Sequence, residues 1–245
     1  MFMRSARYSG SREFAKHDDG PCGFPIGGRG KQLLCGPVPL TNLAPPFPMS
    51  LPIPDHPFKA FIFDCDGTLV DSMPLHYIAW CEALKAHGAE FEFTEEFFYG
   101  HAGVKEQDVV RILNDMHGTS VDPVAVDETK AVIFHRRIPE VQPVRPVADF
   151  ARSVAGRFPI AVASGSAEDT VRGCLTATGL IDLFEIIITP KDVRHGKPAP
   201  DMFLLAAERM GIAPADCLVL EDGNSGLKAA EAAGMQAVFV PRTLR

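Results

Sequence analysis

Two aspartates, Asp64 and Asp66, stand two positions apart in the string FDCDGTLVDS, at the end of an apolar run and just ahead of Gly67, a residue suited to a sharp turn. Carboxylates crowded at a strand end repel one another, and the arrangement is tolerated where a cation compensates them. A lone Asp there reads well as a cap for the next turn; a pair in this string does not. Three more polar groups occupy comparable places: Ser164 with Gly165 in VASGS, Lys197 between Gly196 and Pro198 in GKPAPD, and Glu221 with Asp222 in LEDGNSG. A hydroxyl and free amides can hold an anion, Lys supplies a point charge, and adjacent carboxylates offer oxygen ligands to a hard divalent cation. Taken singly, each has a plainer explanation: SGS as a helix start capped by Ser166, Lys197 as solvated surface, Glu221 and Asp222 as the acidic first turn of a helix. Their chemistry depends on one pocket collecting them.

What must position them is a set of short apolar runs alternating with amphipathic stretches, the pattern of strand–helix units around a buried parallel sheet. The strands are expected at 58–64, 159–164, 184–189, 217–221 and 236–240. Each ends at or just before one of the polar motifs or its loop, and in doubly wound sheets ligands sit at the carboxyl ends of strands. Helices are expected from Ser166 to about Thr178, from Pro200 to just before Gly211, and from about Ser225 to Ala233 ahead of Gly234. The fold class is therefore α/β, a doubly wound, Rossmann-like parallel sheet.

Residues 74–142 interrupt the alternation with three successive helical patterns and form an inserted helical cap domain. Pro74 suits a first helical turn and Gly88 a stop, with Tyr77, Trp80, Cys81 and Leu84 along one apolar stripe. A second helix covers about Glu106 to Met116, and Asp122 with Pro123 starts a third that runs toward Arg137. The core domain is then 58–73 together with 143–245. Residues 1–57, crowded with Gly and Pro and without apolar period, are expected to be a disordered extension; Met49 is an alternative start that would remove most of it.

With 46% apolar and 22% charged residues the chain can bury a substantial core and a smaller second unit. A formal charge of −7 disfavours nucleic acid, whose binding needs clustered Lys and Arg. No apolar stretch is long enough for a membrane span, no signal peptide is visible, and the expected location is the cytoplasm. The six cysteines lack paired short spacing and are expected to be free thiols. The expected assembly is a monomer or weak dimer.

The four motifs, in order, resemble those of the haloacid dehalogenase superfamily over about 58–240, and KPAPDMFLLAAERMGIAP with LVLEDGNSGLKAAEAAGM is similar to its sugar-phosphate phosphatases and β-phosphoglucomutases. The resemblance implies that Asp64 is the nucleophile, forming an aspartyl-phosphate, and that Asp66 is the general acid and base. It implies a Mg2+ ion on Asp64, the backbone carbonyl of Asp66, and Asp222, with Glu221 a direct or indirect ligand, and a phosphate held by Ser164, Gly165 and Lys197. His76 matches a histidine that mutase relatives link to the second Asp. His101, Lys105 and Gln107 lie in the cap loop that selects substrates in those relatives; where mutases carry an Arg for the second phosphate, this chain has Glu106. The implied activity is Mg2+-dependent hydrolysis of a small phosphorylated metabolite, a sugar phosphate of the fructose 1-phosphate or 6-phosphogluconate type. The alternatives are a β-phosphoglucomutase-type isomerase and, from a different class, a metabolite-binding regulator without turnover.

Overall fold

The computed structural model describes residues 51–244. Its centre is a parallel sheet of β1 (Ala60–Phe63), β4 (Ile160–Ala163), β5 (Ile186–Ile188), β6 (Cys217–Glu221) and β7 (Gln236–Phe239), in the order β5-β4-β1-β6-β7. The order reverses at β1, which is the crevice-forming point of a doubly wound sheet. All four residues of β1 and of β4 and all five of β6 are buried, as strands covered on both faces must be. Alternation along β1 divides the core. Phe61 and Phe63 pack toward α5 (Arg145–Val154) and α6 (Glu168–Ala177), while Ala60 and Ile62 pack toward α7 (Asp201–Met210) and α8 (Asn224–Ala232).

The cap consists of α1 (Met73–Ala86), α2 (Glu95–Gly100), α3 (Glu106–His117) and α4 (Pro123–Arg137), one helix more than expected. Helix α2 has six residues, too few to display a helical period, and it is started by Thr94, whose hydroxyl accepts from the Phe97 amide. Asp122 caps α4 by accepting from the Val124 and Ala125 amides, and α1 gives way at His87 to Gly88 at φ 81°. Trp80, Leu84, Phe93, Phe98, Val110 and Leu113 form a core belonging to the cap itself.

The chain leaves the core and returns to it through one antiparallel ribbon, β2 (Val70–Asp71) on β3 (Gln142–Pro143), with Val70 opposite Pro143. Two residues a side carry no visible alternation, so neither strand was expected. Helix α5, which follows the ribbon, was likewise unforeseen, although Val147, Ala148, Ala151 and Val154 give it one buried face.

The expected disordered extension needs a correction at its boundary. Residues 1–50 of it lie outside the described residues, whereas Leu51 and Ile53 pack against the larger core cluster. Cys65, Cys81, Cys174 and Cys217 are free thiols, and no helix among the described residues is long and apolar enough to cross a membrane.

Candidate active site

The sheet order decides which motifs meet. Strand β1 lies between β4 and β6, with Phe63 level with Val162 on one side and Leu220 on the other. Asp64 and Glu221 come directly after, and Ser164 two positions after Val162, so all three emerge at one edge. The Asp64 amide donates to the Leu220 carbonyl, which holds this first turn against β6. Beyond Asp64 the backbone closes on itself. The amides of Leu69 and Val70 donate to the Cys65 carbonyl and the Gly67 amide to the Val70 carbonyl, with Gly67 at φ 84°, a conformation that disfavours a side chain.

Lys197 enters from the loop ahead of α7 and binds both neighbouring acids: its Nζ donates to Asp64 Oδ1 at 2.7 Å and to Glu221 Oε2 at 2.8 Å. None of these three side chains is more than 8% exposed. Glu221 Oε1 accepts from the Gly223 amide at 3.0 Å. Gly226, at the start of α8, leaves the space the Glu221 carboxylate needs: a Cβ there would fall 2.0 Å from Glu221 Oε2.

One donor atom from each of Asp64, Glu221 and Asp222 can be chosen so that all lie within 4.8 Å of one another. Burial, then the charge of Glu221, push the Asp64 carboxyl up to about 7 against the pull of Lys197. Burial also works to lower the Lys197 ammonium, yet the two carboxylates outweigh it and hold Lys197 above its ordinary value. Three carboxylates thus face one ammonium. A compact all-oxygen donor set with excess negative charge fits a hard divalent cation.

Asp66, two residues on, has different company. Its Oδ1 accepts from Ser72 Oγ at 2.6 Å and lies 3.5 Å from His76 Nε2, while its Oδ2 accepts from Ser166 Oγ at 2.7 Å and Ser164 Oγ at 3.4 Å. Burial tends to raise this carboxyl, but His76, Ser72 and Ser166 outweigh it and hold Asp66 well below the usual carboxylate range. His76 is stacked flat on Phe134 at 3.7 Å, and burial keeps its imidazole below the ordinary histidine value. Its Nδ1 has no hydrogen-bond partner among the described residues.

Ser166 was expected to cap α6. The residue at the cap position is Ala167, with no side-chain cap bond, because the Ser166 hydroxyl is spent on Asp66. The Ser166 amide donates to Ser164 Oγ at 3.1 Å.

The structure therefore gathers Asp64, Asp66, His76, Ser164, Lys197, Glu221 and Asp222 at one edge of the sheet, with Gly165 in the turn between Ser164 and Ser166. The three cap-loop residues form their bonds inside the cap. His101 Nδ1 lies 2.8 Å from the Phe97 carbonyl, Gln107 Nε2 donates to Asp127 Oδ2 at 3.3 Å, and exposed Lys105 precedes α3. Their loop does reach the core: a Cβ on Gly103 would lie 2.7 Å from Ser225 Oγ, at the start of α8.

Ser72, the Asp66 bond of Ser166, and Lys130 escaped the sequence reading. Lys130, nearly buried in the cap, donates to Glu106 Oε1 at 3.0 Å and places its ammonium 5.6 Å from the Trp80 ring centroid. A lone hydroxyl or lysine carries no motif; for Ser72 the available signal was its place at the end of FDCDGTLVDS.

A doubly wound α/β core with an acidic cluster at its carboxyl edge and an inserted helical cap defines a class of enzyme, and the comparisons agree on which. Residues 58–234 match the family model described as haloacid dehalogenase-like hydrolase, and the chain belongs to that family. It is 35% identical over 184 residues to the fructose-1-phosphate phosphatase YqaB of Escherichia coli (strain K12), covering 75% of this chain and 96% of that one. It is 27% identical over 191 residues to the β-phosphoglucomutase of Bacillus subtilis (strain 168), covering 74% and 83%. Among solved structures, a HAD family hydrolase from Deinococcus radiodurans R1 with bound phosphate and sodium superposes with a TM-score of 0.60 at 30% identity, covering 75% of this chain and 80% of that one.

Proposed function

We propose that the chain, a phosphoric monoester hydrolase of this family, removes phosphate from a small phosphorylated sugar or polyol of the fructose 1-phosphate or 6-phosphogluconate type, in the cytoplasm, through a phosphoryl group carried on Asp64. The observation that carries the proposal is the pair of unlike carboxylates: Asp64 gripped by Lys197 beside Glu221 and Asp222, and Asp66 held apart from them by hydroxyls and His76.

An Asp64 oxygen attacks phosphorus as the bond from phosphorus to the leaving alcohol oxygen breaks, and Asp66 delivers a proton to that oxygen. Water then gives a proton to Asp66 and attacks the aspartyl-phosphate, so that phosphate leaves and Asp64 is regenerated. Asp66 rests as a carboxylate, the form the second step requires. The negative charge of an arriving phosphate raises its proton affinity for the first. Lys197 faces the charge that spreads over the transferring oxygens, and Ser164 offers a hydroxyl at the same edge.

Asp64, Asp222 and the carbonyl of Asp66 are the ligands assigned to Mg2+, which supplies neutralisation of the carboxylate and phosphate charges when bound. Both Glu221 oxygens already accept hydrogen bonds, from Lys197 and the Gly223 amide, so its role is to hold Lys197 in place.

Phosphate release from a panel of sugar and polyol phosphates, with and without Mg2+, tests the assignment. Release that depends on the metal and vanishes in Asp64→Asn is expected; silence across the panel from folded protein with Mg2+ overturns it. The likeness to β-phosphoglucomutase keeps a second outcome in view, phosphate moved between sugar positions without release, which phosphorus NMR during turnover distinguishes.

A further inference from the structure

Lys197 must bring one ammonium between two carboxylates, yet it arrives on residues 189–200, the connection from β5 to α7. That stretch holds no regular element beyond the three-residue turn Pro190–Asp192. A lysine on a loose connection would spend its contacts on ordering the chain that carries it. The course of the connection therefore has to be fixed by other side chains.

Thr189, 1% exposed, directly follows Ile188, whose carbonyl accepts from the Ser164 amide at the active-site edge. Asp192 closes a turn on Thr189: its amide donates to the Thr189 carbonyl at 3.0 Å. Its Oδ2 accepts from the Thr189 amide at 3.0 Å and the Thr189 hydroxyl at 3.2 Å. The other oxygen, Oδ1, accepts from Arg209 Nη2 at 3.0 Å, in the last turn of α7. With three donors from two elements and a side chain only 15% exposed, Asp192 fastens the connection to the sheet edge and to the helix at once. The next residue, Val193, packs against the core cluster of Met202 and Phe203.

The remaining fastenings are lighter. His195, 61% exposed, meets Asp201 Oδ1 through its amide and its Nδ1, and exposed Lys191 pairs with Glu168 of α6. Exposed pairs of this kind contribute little. Beyond them Lys197 turns inward, with its ammonium 5.1 Å from the Phe203 ring centroid.

We propose that Asp192 is a positioning residue for phosphoryl transfer: its bonds to Thr189 and Arg209 set the course on which Lys197 reaches Asp64 and Glu221. It touches neither acid and acts only through Lys197.

Turnover by Asp192→Ala should fall about 10- to 100-fold, the scale of a catalytic group misplaced by about 1 Å. Asp192→Asn keeps an oxygen for Thr189 and loses only a half-exposed ion pair, so its turnover should fall by no more than about fivefold. The deciding measurement is a double-mutant cycle with Lys197→Met. In that background Asp192→Ala should lower kcat by less than about twofold, because no ammonium remains to be misplaced. A general loosening of the fold would multiply the two losses instead.

The kcat readout rests on the phosphatase assignment, so the cycle is repeated on melting temperatures of metal-free protein, which need no turnover. There Lys197→Met should cost less in the Asp192→Ala background than in the parent, since a displaced ammonium already compensates Asp64 and Glu221 less. Should Asp192→Ala not fold, Arg209→Met, altered at a half-exposed side chain, carries the same cycle. An unaltered kcat in Asp192→Ala, losses that multiply in kcat, or losses that add in melting temperature overturn the proposal. Coupled melting temperatures in protein that hydrolyses no ester support it and sink the phosphatase assignment instead.

Discussion

Asp64 and Asp66 leave one strand within a single turn and meet opposite surroundings. Asp64 is embraced by core elements alone: Lys197 from the loop before α7, Glu221 from β6, and Asp222 just beyond it. Asp66 is met by Ser72 at the ribbon that joins core to cap, by His76 on cap helix α1, and by Ser164 and Ser166 of the β4–α6 turn. The first acid is pushed up by burial and a like charge; the second is drawn down by donors that overcome its burial. In the proposed mechanism nucleophilic attack therefore depends on the sheet edge, whereas proton transfer answers to a segment that connects to the cap. A displaced cap would disturb the second function first.

The largest effect is expected from Asp64→Asn, which should reduce turnover by on the order of 10⁴-fold or more, since removing a nucleophile eliminates the covalent route. Steady-state phosphate release checks it, and substantial residual turnover would show that Asp64 is not the nucleophile. Lys197→Met comes next. Removing one partner from a buried charge cluster costs about 3–5 kcal/mol, and thermal melts of metal-free protein should register it, with Mg2+ restoring part of the loss. Equal melting temperatures for the variant and the parent would mean that the cluster around Asp64 is not compensated by Lys197.

Asp66 is probed through its donors. Ser72→Ala and Ser166→Ala each remove a hydrogen bond that lowers the Asp66 carboxyl, so its proton affinity rises and the limb that Asp66 sets in the kcat profile shifts to higher pH. A fall of about tenfold at neutral pH is expected, a fraction of what general acid–base catalysis contributes. An unmoved limb would detach these serines from the proton.

The stability profile of metal-free protein offers a fourth measurement. Asp64 titrates near 7 in the fold against an ordinary 3.8, so the folded state binds the extra proton between those values. Its contribution to stability is complete below 3.8 and is lost as pH rises through 7. His76, held low, acts oppositely near 6.5, because the unfolded chain then binds the proton. The diagnostic quantity is thus the difference between parent and Asp64→Asn: the parent should lose stability relative to the variant from pH 5 to 8, and parallel melting curves would refute the raised carboxyl.

The smallest effect concerns the cap. Arg242 lies 3.6 Å above the Tyr99 ring and 3.6 Å from Glu95, linking the end of the core to α2. An exposed cation–π contact is worth about 0.5–1 kcal/mol, so Arg242→Ala should raise KM by only about two- to fivefold. If the loss fell instead on Asp64 phosphorylation at saturating substrate, the division between sheet edge and cap would be too sharp.

Much of this was legible because parallel strands buried on both faces read as unbroken apolar runs. The run 217–221 became β6 without change, and 159–164 lost only its flanking Pro159 and Ser164. The motif residues followed, since a sheet order that places β1 between β4 and β6 forces Asp64, Ser164 and Glu221 to one edge. What stayed hidden had no periodic signature or was settled by distant partners. Helix α2 is too short to reveal a period, and β2 and β3 have two residues each. Ser166 has the composition of a helix cap, yet Asp66, a hundred residues earlier, offers its hydroxyl a charged acceptor. Lys130 looks like any helical lysine until Glu106 and Trp80 close around it.

The ribbon of β2 and β3 has a wider consequence. Since Val70 faces Pro143 across an antiparallel pair, the two chain crossings are separated by only about 5 Å. Everything between them is a cassette with adjacent ends and its own apolar interior. Such a unit can be grafted between relatives with two short splices, and the graft would bring Ser72 and His76, the partners of Asp66, along with the cap.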